Sequence, residues 1–427
     1  SSVRRRQRTF GYTEEELRLL ITPMAETGAE PLGAMGTDTA IAGLSTRPRL
    51  LFDYFHQNFA QVTNPPLDSI REHIVTSMAA GLGREGNLLE HSRPDSAHIM
   101  LSRPVIDNDE LAAIGHVKGH HLGVDNPRPT VTLSGLYSVN AGPDAMEARI
   151  EALCAEASAA VDTGAVFIIL SDRDSTADLA PIPSLLLTSA LHHHLVRERS
   201  RTRVSIVVEA GDVREVHHAA TLVSFGASAV NPYLLMETAE ALVRSDRVTG
   251  VSESAAVANV LGALNKGLLK IMSKMGISTV QSYHGAQTFE AVGLSDDLID
   301  RHFTSTPHQL GGKGMREIAA ENTARHADAH RDDHPRPSHR PLKVGGEYQW
   351  RREGPGHLFN PETIFKLQHS TASKRYDIFQ EYTRAVDDQS RELMTLRGLL
   401  DLVPGAEGPI DIAEVEPAEA IMKRFST

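Results

Sequence analysis

Cysteine is almost missing from this sequence. Cys154 is the only one in 427 residues, which excludes an intramolecular disulfide framework, a cysteine-only zinc site and a Cys-ligated iron–sulfur cluster within the chain. The scarcity fits a reducing compartment, so a cytoplasmic location is expected. Cys154 falls among Met146, Ile150, Leu153, Ala157 and Val161, which recur at helical spacing. It is therefore expected to be a small buried apolar residue and not a nucleophile. Long apolar runs are also lacking, so no membrane span is expected. The N-terminus, SSVRRRQRTF, is basic but is followed by no apolar stretch, so no secretory signal is expected. It starts without methionine, and an excised or trimmed segment is expected. Positive charge is short too: 43 Lys and Arg against 55 Asp and Glu leave a net charge of −12. That balance argues against a general nucleic-acid binder, because phosphate binding needs clustered cations. Arg4, Arg5 and Arg6 form the one basic cluster and read as a solvated end. There is no Walker P-loop, no G-x-S-x-G elbow and no H-E-x-x-H pair.

What is present reads as an α/β protein. Length allows two to three domains, and 41% hydrophobic residues is an ordinary globular content. Thr13 and Glu16 form an S/T-x-x-E capping box ahead of Leu17, Leu19 and Leu20, which starts a helix. Residues 49–59 read as a helix, and Thr63-Asn64-Pro65-Pro66 as a sharp break. Asp68 is placed to cap a helix through Ile70, Ile74, Val75 and Met78 that ends at Gly81. Short apolar strands are expected over 131–139, 165–170, 204–208 and 227–230, with helices over 144–161, 182–196, 213–225 and 234–243 between and after them. Strands alternating with helices imply parallel pairing with both sheet faces covered, in an open doubly wound sheet or part of a (β/α)-barrel. A long helix over 253–275 carries Val260, Leu264, Leu268 and Met272 on one side and Lys266, Lys270 and Lys274 on another, and Gly276 stops it. Residues 332–358 read as irregular, with helices at 361–369 and 376–400 beyond.

Polar residues cluster just after the strands: Asp172, Arg173, Asp174, Glu209 and Asn231. Sites sit there in such folds, although any α/β protein must also turn its chain there. Gly81 to Gly86 matches G-x-G-x-x-G, but a dinucleotide site needs a strand before the glycines and a helix after, and the pattern puts a helix first. It reads as a helix stop. Neighbouring histidines, as in His192-His193-His194, point about 100° apart on a helix and cannot share a metal. His326, His330 and His334 do align at i, i+4 and i+8, in a charged stretch that reads as an exposed helical face.

Several long runs are too peculiar to be generic. GYTEEELRLLITPMAETGAEPLGAMGTDTAIAGLS, RPRLLFDYFHQNFAQVTNPPLDSIREHIV and GREGNLLE resemble the central domain of the large subunit in the glutamate synthase family. LNKGLLKIMSKMGISTVQSYHGAQTFEAVGLS, EIAAENTARHADAH and EVEPAEAIMKRF resemble the stretch leading into that family's flavin domain. The resemblance runs nearly end to end. It implies a degenerate (β/α)-barrel-like central domain over 1–250, then a mostly helical lead-in over 251–427 to a truncated flavin barrel. The family moves the amide nitrogen of glutamine onto 2-oxoglutarate and reduces the imine, giving two glutamates. It carries FMN and a 3Fe-4S cluster, and passes ammonia through a tunnel. The resemblance implies that this segment scaffolds its neighbours, the glutaminase and FMN domains of one polypeptide, with an NADPH-oxidising small subunit as a possible further partner. No catalytic, cofactor-binding or metal residue is expected here, and no activity from the segment alone. The family's tunnel entrance uses a Thr-Asn pair in the run that reads QVTNPP here, so the resemblance implies Thr63 and Asn64 as tunnel residues. The alternative for that run is a helix-linking turn.

Two other readings stay open: a free-standing binding or assembly module without catalysis, and an independent barrel enzyme using Asp172, Asp174 and Glu209. The scaffold reading expects an exposed apolar face around Thr63. The module reading expects a closed surface, and the enzyme reading a deep pocket of convergent carboxylates at the strand ends.

Overall fold

The apolar strands pair as their alternation with helices requires. In the computed structural model, β1 (Thr130–Ser134), β2 (Phe167–Ser171), β3 (Ser205–Glu209) and β4 (Ala229–Asn231) form a four-stranded parallel sheet in that order. The structure describes all residues except 1–2, 34–35, 61–66, 69, 87–88, 90–97, 332–339 and 427. Between and after the strands run α1 (Ala145–Asp162), α2 (Ser184–Arg197), α3 (Val216–Ser224) and α4 (Tyr233–Arg244). β2 and β3 are apolar throughout because helices cover both faces; Phe167, Ile168, Ile206 and Val207 are all buried. The protein is thus a mixed α/β fold with a parallel sheet. Gly135 interrupts the strand expected over 131–139, and Leu136–Ser138 turns off to pair antiparallel with Leu179–Pro181.

Next comes α5 (Glu253–Met275), capped by Ser252 and ended by Gly276 at φ +72°. By length and composition α5 could cross a bilayer, but its Val260, Leu264 and Leu268 lie in the protein core and Lys266, Lys270 and Lys274 face outward. A second core, beside that of the sheet, joins it to α4 and to Leu17, Ile21 and Met24 of the N-terminal segment. Contacts divide the chain into two compact units, residues 1–357 and 358–427. In the second, Asn360 caps the helix Pro361–Ser373, Lys374 turns at φ +54°, and Tyr376–Gln389 follows. The single helix expected over 376–400 breaks at Gln389 into short π and 3-10 turns.

Four local expectations are corrected. Arg4, Arg5 and Arg6 are not a solvated end: they belong to a helix, Val3–Thr9, in which Arg4 pairs with Glu14 and Arg6 with Glu237. Residues 49–59 are not one helix. A 3-10 turn, Leu51–Tyr54, gives way to a strand, Phe55–Gln57, because that strand pairs with Phe289–Leu294 and buries Phe55 against Phe225 and Phe303. Asp68 does accept from the Ile70 and Arg71 amides, but the helix it precedes stops at Val75. There Ser77 pairs with Ser278 and Val280, and Ala80–Leu82 is a strand paired with Ile99–Leu101. A strand therefore reaches Gly81, contrary to the argument made from the glycine run, and the described residues from Gly83 to Gly86 are not helical. His326 is buried, not exposed. Its Nε2 donates to the Ala177 carbonyl, and burial first, then His330, pushes its pKa down to about 4. His334 lies outside the described residues.

Candidate functional site at the strand ends

Parallel sheets place the residues that follow each strand along one edge. Here β2 leads into Asp172 and Arg173, β3 ends at Glu209 just before Gly211 and Asp212, and β4 ends at Asn231 just before Tyr233. The structure brings together four of the five residues singled out from sequence. Arg173 Nε donates to Glu209 (2.6 Å), its Nη1 reaches Glu237 (3.4 Å), and its guanidinium lies 4.3 Å from the Tyr233 ring centre. Asn108 accepts from both Arg173 (3.3 Å) and Asn231 (3.2 Å), which ties the ends of β2 and β4. Asp172 is buried, and both its oxygens accept from the Gly211 amide at 3.0 and 3.1 Å. Asp174 is exposed and stands apart.

Sequence reasoning missed Asp212, Tyr233, Phe10 and Tyr12. Asp212 is buried and accepts from the Ser184 amide (3.0 Å) and hydroxyl (2.6 Å) at the start of α2. Burial first, and then the charge of Asp212, hold the Asp172 carboxyl well above its ordinary pKa. Burial and Asp172 likewise raise the Tyr233 phenol, whose oxygen has no hydrogen bond of ordinary geometry among the described residues. The only sequence signal for these residues was position after a strand. For Phe10 and Tyr12, some 200 residues away, there was none.

Those two residues decide what the arrangement can do. Phe10 and Tyr12 are buried, the Phe10 ring is packed on Gly211, and the Tyr12 hydroxyl donates to the Gly211 carbonyl (3.2 Å). Arg214 fixes them: it donates to the Phe10 carbonyl (3.1 Å), pairs with Glu16 (2.8 Å) and lies 4.6 Å from the Tyr12 ring centre. Gln7 adds a bond to Thr238 of α4 (2.9 Å). Asp172 and Glu209 thus lie together, but Asp174 does not join them as the barrel-enzyme reading expects, and the chain's own N-terminal segment packs on Gly211 beyond the end of β3.

Thr63 and Asn64 lie outside the described residues. On either side of them Phe59 is 85% exposed, Ile70 72% and Ile74 77%, so the described flanks of that run present apolar side chains to solvent. Cys154 is buried, and burial first raises its thiol to about 11, which removes it as a nucleophile at neutral pH. No group of three or more His, Cys, Asp or Glu side chains among the described residues could hold a metal ion.

Comparison with known proteins bears on kinship. The large chain of the NADPH glutamate synthase of Bacillus subtilis is 42% identical over 427 residues, which is all of this chain and 27% of that protein. The NADH glutamate synthase of Schizosaccharomyces pombe is 40% identical over 424 residues, covering 98% of this chain and 20% of that one. Ferredoxin-dependent glutamate synthase 2 of Synechocystis is 37% identical over 450 residues, all of this chain and 28% of its own. This chain thus spans about a quarter of the length of such relatives. Among solved structures, a mandelate oxidase mutant with (S)-mandelic acid aligns at 12% identity and a TM-score of 0.32, over 66% of this chain and 97% of that one, too remote a likeness to bear on the fold. The family profile described as the glutamate synthase central domain matches residues 5–295. By that profile and those relatives, this chain belongs to the glutamate synthase family.

Proposed function

We propose that the chain serves a glutamate synthase as scaffold and conduit and holds no reaction centre of its own. The whole enzyme transfers the glutamine amide nitrogen to 2-oxoglutarate and reduces the product to glutamate, in the cytoplasm. FMN and a 3Fe-4S cluster belong, in this reading, to other parts of the polypeptide. Residues 1–250 are the central domain and 251–427 the connecting region and start of the flavin domain, a division of the parent polypeptide and not of its packing units. The four-stranded sheet is the remnant of a degenerate (β/α)-barrel. One observation carries the reading: Phe10 and Tyr12 occupy the strand-end position where a barrel enzyme would keep its substrate. The exposed Phe59, Ile70 and Ile74 support it from the other side, as a face suited to the glutaminase and FMN domains. A small subunit that oxidises NADPH completes the set of partners.

Within this reading Thr63 and Asn64 line the ammonia tunnel. Small polar side chains hydrogen-bond neutral ammonia without trapping it as ammonium, and Pro65 and Pro66 stiffen the run that holds them. The test is the pair of substitutions Thr63→Val and Asn64→Leu in the full-length enzyme. Glutamine hydrolysis should continue while ammonia escapes to solution, and glutamate formed from 2-oxoglutarate should fall by a factor of about ten, equivalent to about 1.4 kcal/mol. An unchanged ratio of glutamine consumed to 2-oxoglutarate converted would refute the tunnel assignment.

A further inference from the structure

The opposite end of the sheet holds a charge that nothing above accounts for. Arg201 lies four residues before β3, near the start of β4. Its Nε donates to His192 Nδ1 (2.9 Å), its Nη1 to the Val204 carbonyl (2.6 Å) and its Nη2 to the Gly226 carbonyl (2.8 Å), to which His284 Nε2, 3.2 Å from Nη2, also donates (2.9 Å). Both carbonyls are neutral. Both imidazoles are held neutral too, since burial first and then Arg201 push His192 down to about 2 and His284 to about 4. One Nη1 hydrogen has no acceptor, and no carboxylate lies within ion-pair distance, among the described residues. Burial lowers the guanidinium itself to about 10, with Glu85 the one charge that opposes the shift. A half-buried cation without a counter-ion is costly, whereas the more deeply buried Arg214 has Glu16.

A cavity of about 440 Å³ opens beside it, lined by Arg201, Ser228 and His284 and walled by Val204, Val280 and Met100. Glu85 is exposed on the same lining, near Gln281. A plain anion entering toward Arg201 would meet repulsion from Glu85. A molecule with a carboxylate inward and an ammonium group toward Glu85 satisfies both charges, and the apolar walls suit an aliphatic side chain. We propose that this cavity binds a small α-amino acid with an apolar side chain, its carboxylate on Arg201 and its ammonium on Glu85. The site is separate from the strand-end cluster.

Saturation-transfer NMR on the full-length enzyme tests this, with three probes: L-leucine, its deaminated counterpart 4-methylpentanoate, and its decarboxylated counterpart 3-methylbutylamine. Leucine should receive saturation, and the two part-molecules should bind at least about tenfold more weakly, the equivalent of about 1.4 kcal/mol for each lost charge contact. Arg201→Gln should abolish the leucine signal. Glu85→Gln should weaken leucine and strengthen 4-methylpentanoate, an inversion that a merely structural Arg201 would not produce. Arg201 also ties two loops, so Ala79→Trp, at an exposed position on the lining, blocks the cavity without touching that network. Glutamate formation at wild-type rate in Glu85→Gln and Ala79→Trp confirms folding. A leucine signal that survives Ala79→Trp, or 4-methylpentanoate binding as well as leucine, would overturn the proposal.

Discussion

The claim that the N-terminal segment fills the strand-end position can be tested on one contact. A Cβ built on Gly211 would lie 2.4 Å from Phe10 Cε2 and 2.6 Å from Cζ, about an ångström inside ordinary contact. Phe10 is buried and its carbonyl is held by Arg214, so the ring has little room to retreat. Gly211→Ala should therefore cost about 1–3 kcal/mol as overpacking. Phe10→Ala should cost about 3–5 kcal/mol through lost burial and the cavity left behind. In the double variant the new methyl group occupies space the ring has vacated, so the overlap vanishes while the truncation cost remains. The pair should then be less destabilised than the sum of its singles by about 1–3 kcal/mol. Urea unfolding followed by circular dichroism on the four proteins measures that difference. Additivity to within about 0.5 kcal/mol would mean that Phe10 does not rest on Gly211 in solution, and the occupied site would have to be abandoned.

Two further outcomes follow from buried charge. Glu15 accepts from four backbone amides, Gly346 (2.6 Å), Glu347 (2.7 Å), Tyr348 (3.2 Å) and Gln349 (3.0 Å). Glu15→Gln keeps the shape but turns an NH2 group toward one of those donors, so it should cost about 2–3 kcal/mol and speed limited proteolysis within residues 340–358; an unchanged cleavage rate would refute the anchoring role. His302 and His326, each lowered by burial to about 4, bind protons later than the unfolded chain does. Their contribution is intact above pH 6.5 and is lost as pH falls toward 4, by about 1.4 kcal/mol per pH unit for each histidine. Unfolding free energy measured across that range should flatten by one proton's slope in His326→Gln, and an unaltered slope would show that His326 is not held neutral.

The parts of this fold that could be read from sequence are those governed by neighbours along the chain. The Thr13–Glu16 capping box forms as written, with the Glu16 amide donating to Thr13 (3.2 Å) and the Thr13 amide to Glu16 (2.7 Å). The apolar side of α5 and its stop at Gly276 were equally plain, because period and capping are local. Residues 49–59 misled because their aromatic pattern suits a helix until Phe289–Leu294 supplies a partner strand. Polar residues after β2, β3 and β4 pointed to the right edge of the sheet. They could not reveal that Phe10 and Tyr12 would cover it, since that packing joins residues about 200 positions apart. Arg6 misled for the same reason: its partner, Glu237, is 231 residues away.

Charge at the two ends of the sheet separates structure from unfinished business. At the strand ends Arg173 meets Glu209 and Glu237, Arg214 meets Glu16, and Asp172 and Asp212 spend their oxygens on Gly211 and Ser184. Each of those charges has a partner inside the chain, and the Phe10 ring rests on Gly211. Such pairing suits a brace between strands. At the other end Arg201 has only neutral acceptors and an N–H to spare among the described residues. A fold that pairs Arg173 and Arg214 with carboxylates at one edge, and gives Arg201 beside an open cavity none at the other, has put its capacity for binding where barrel topology would not direct the eye.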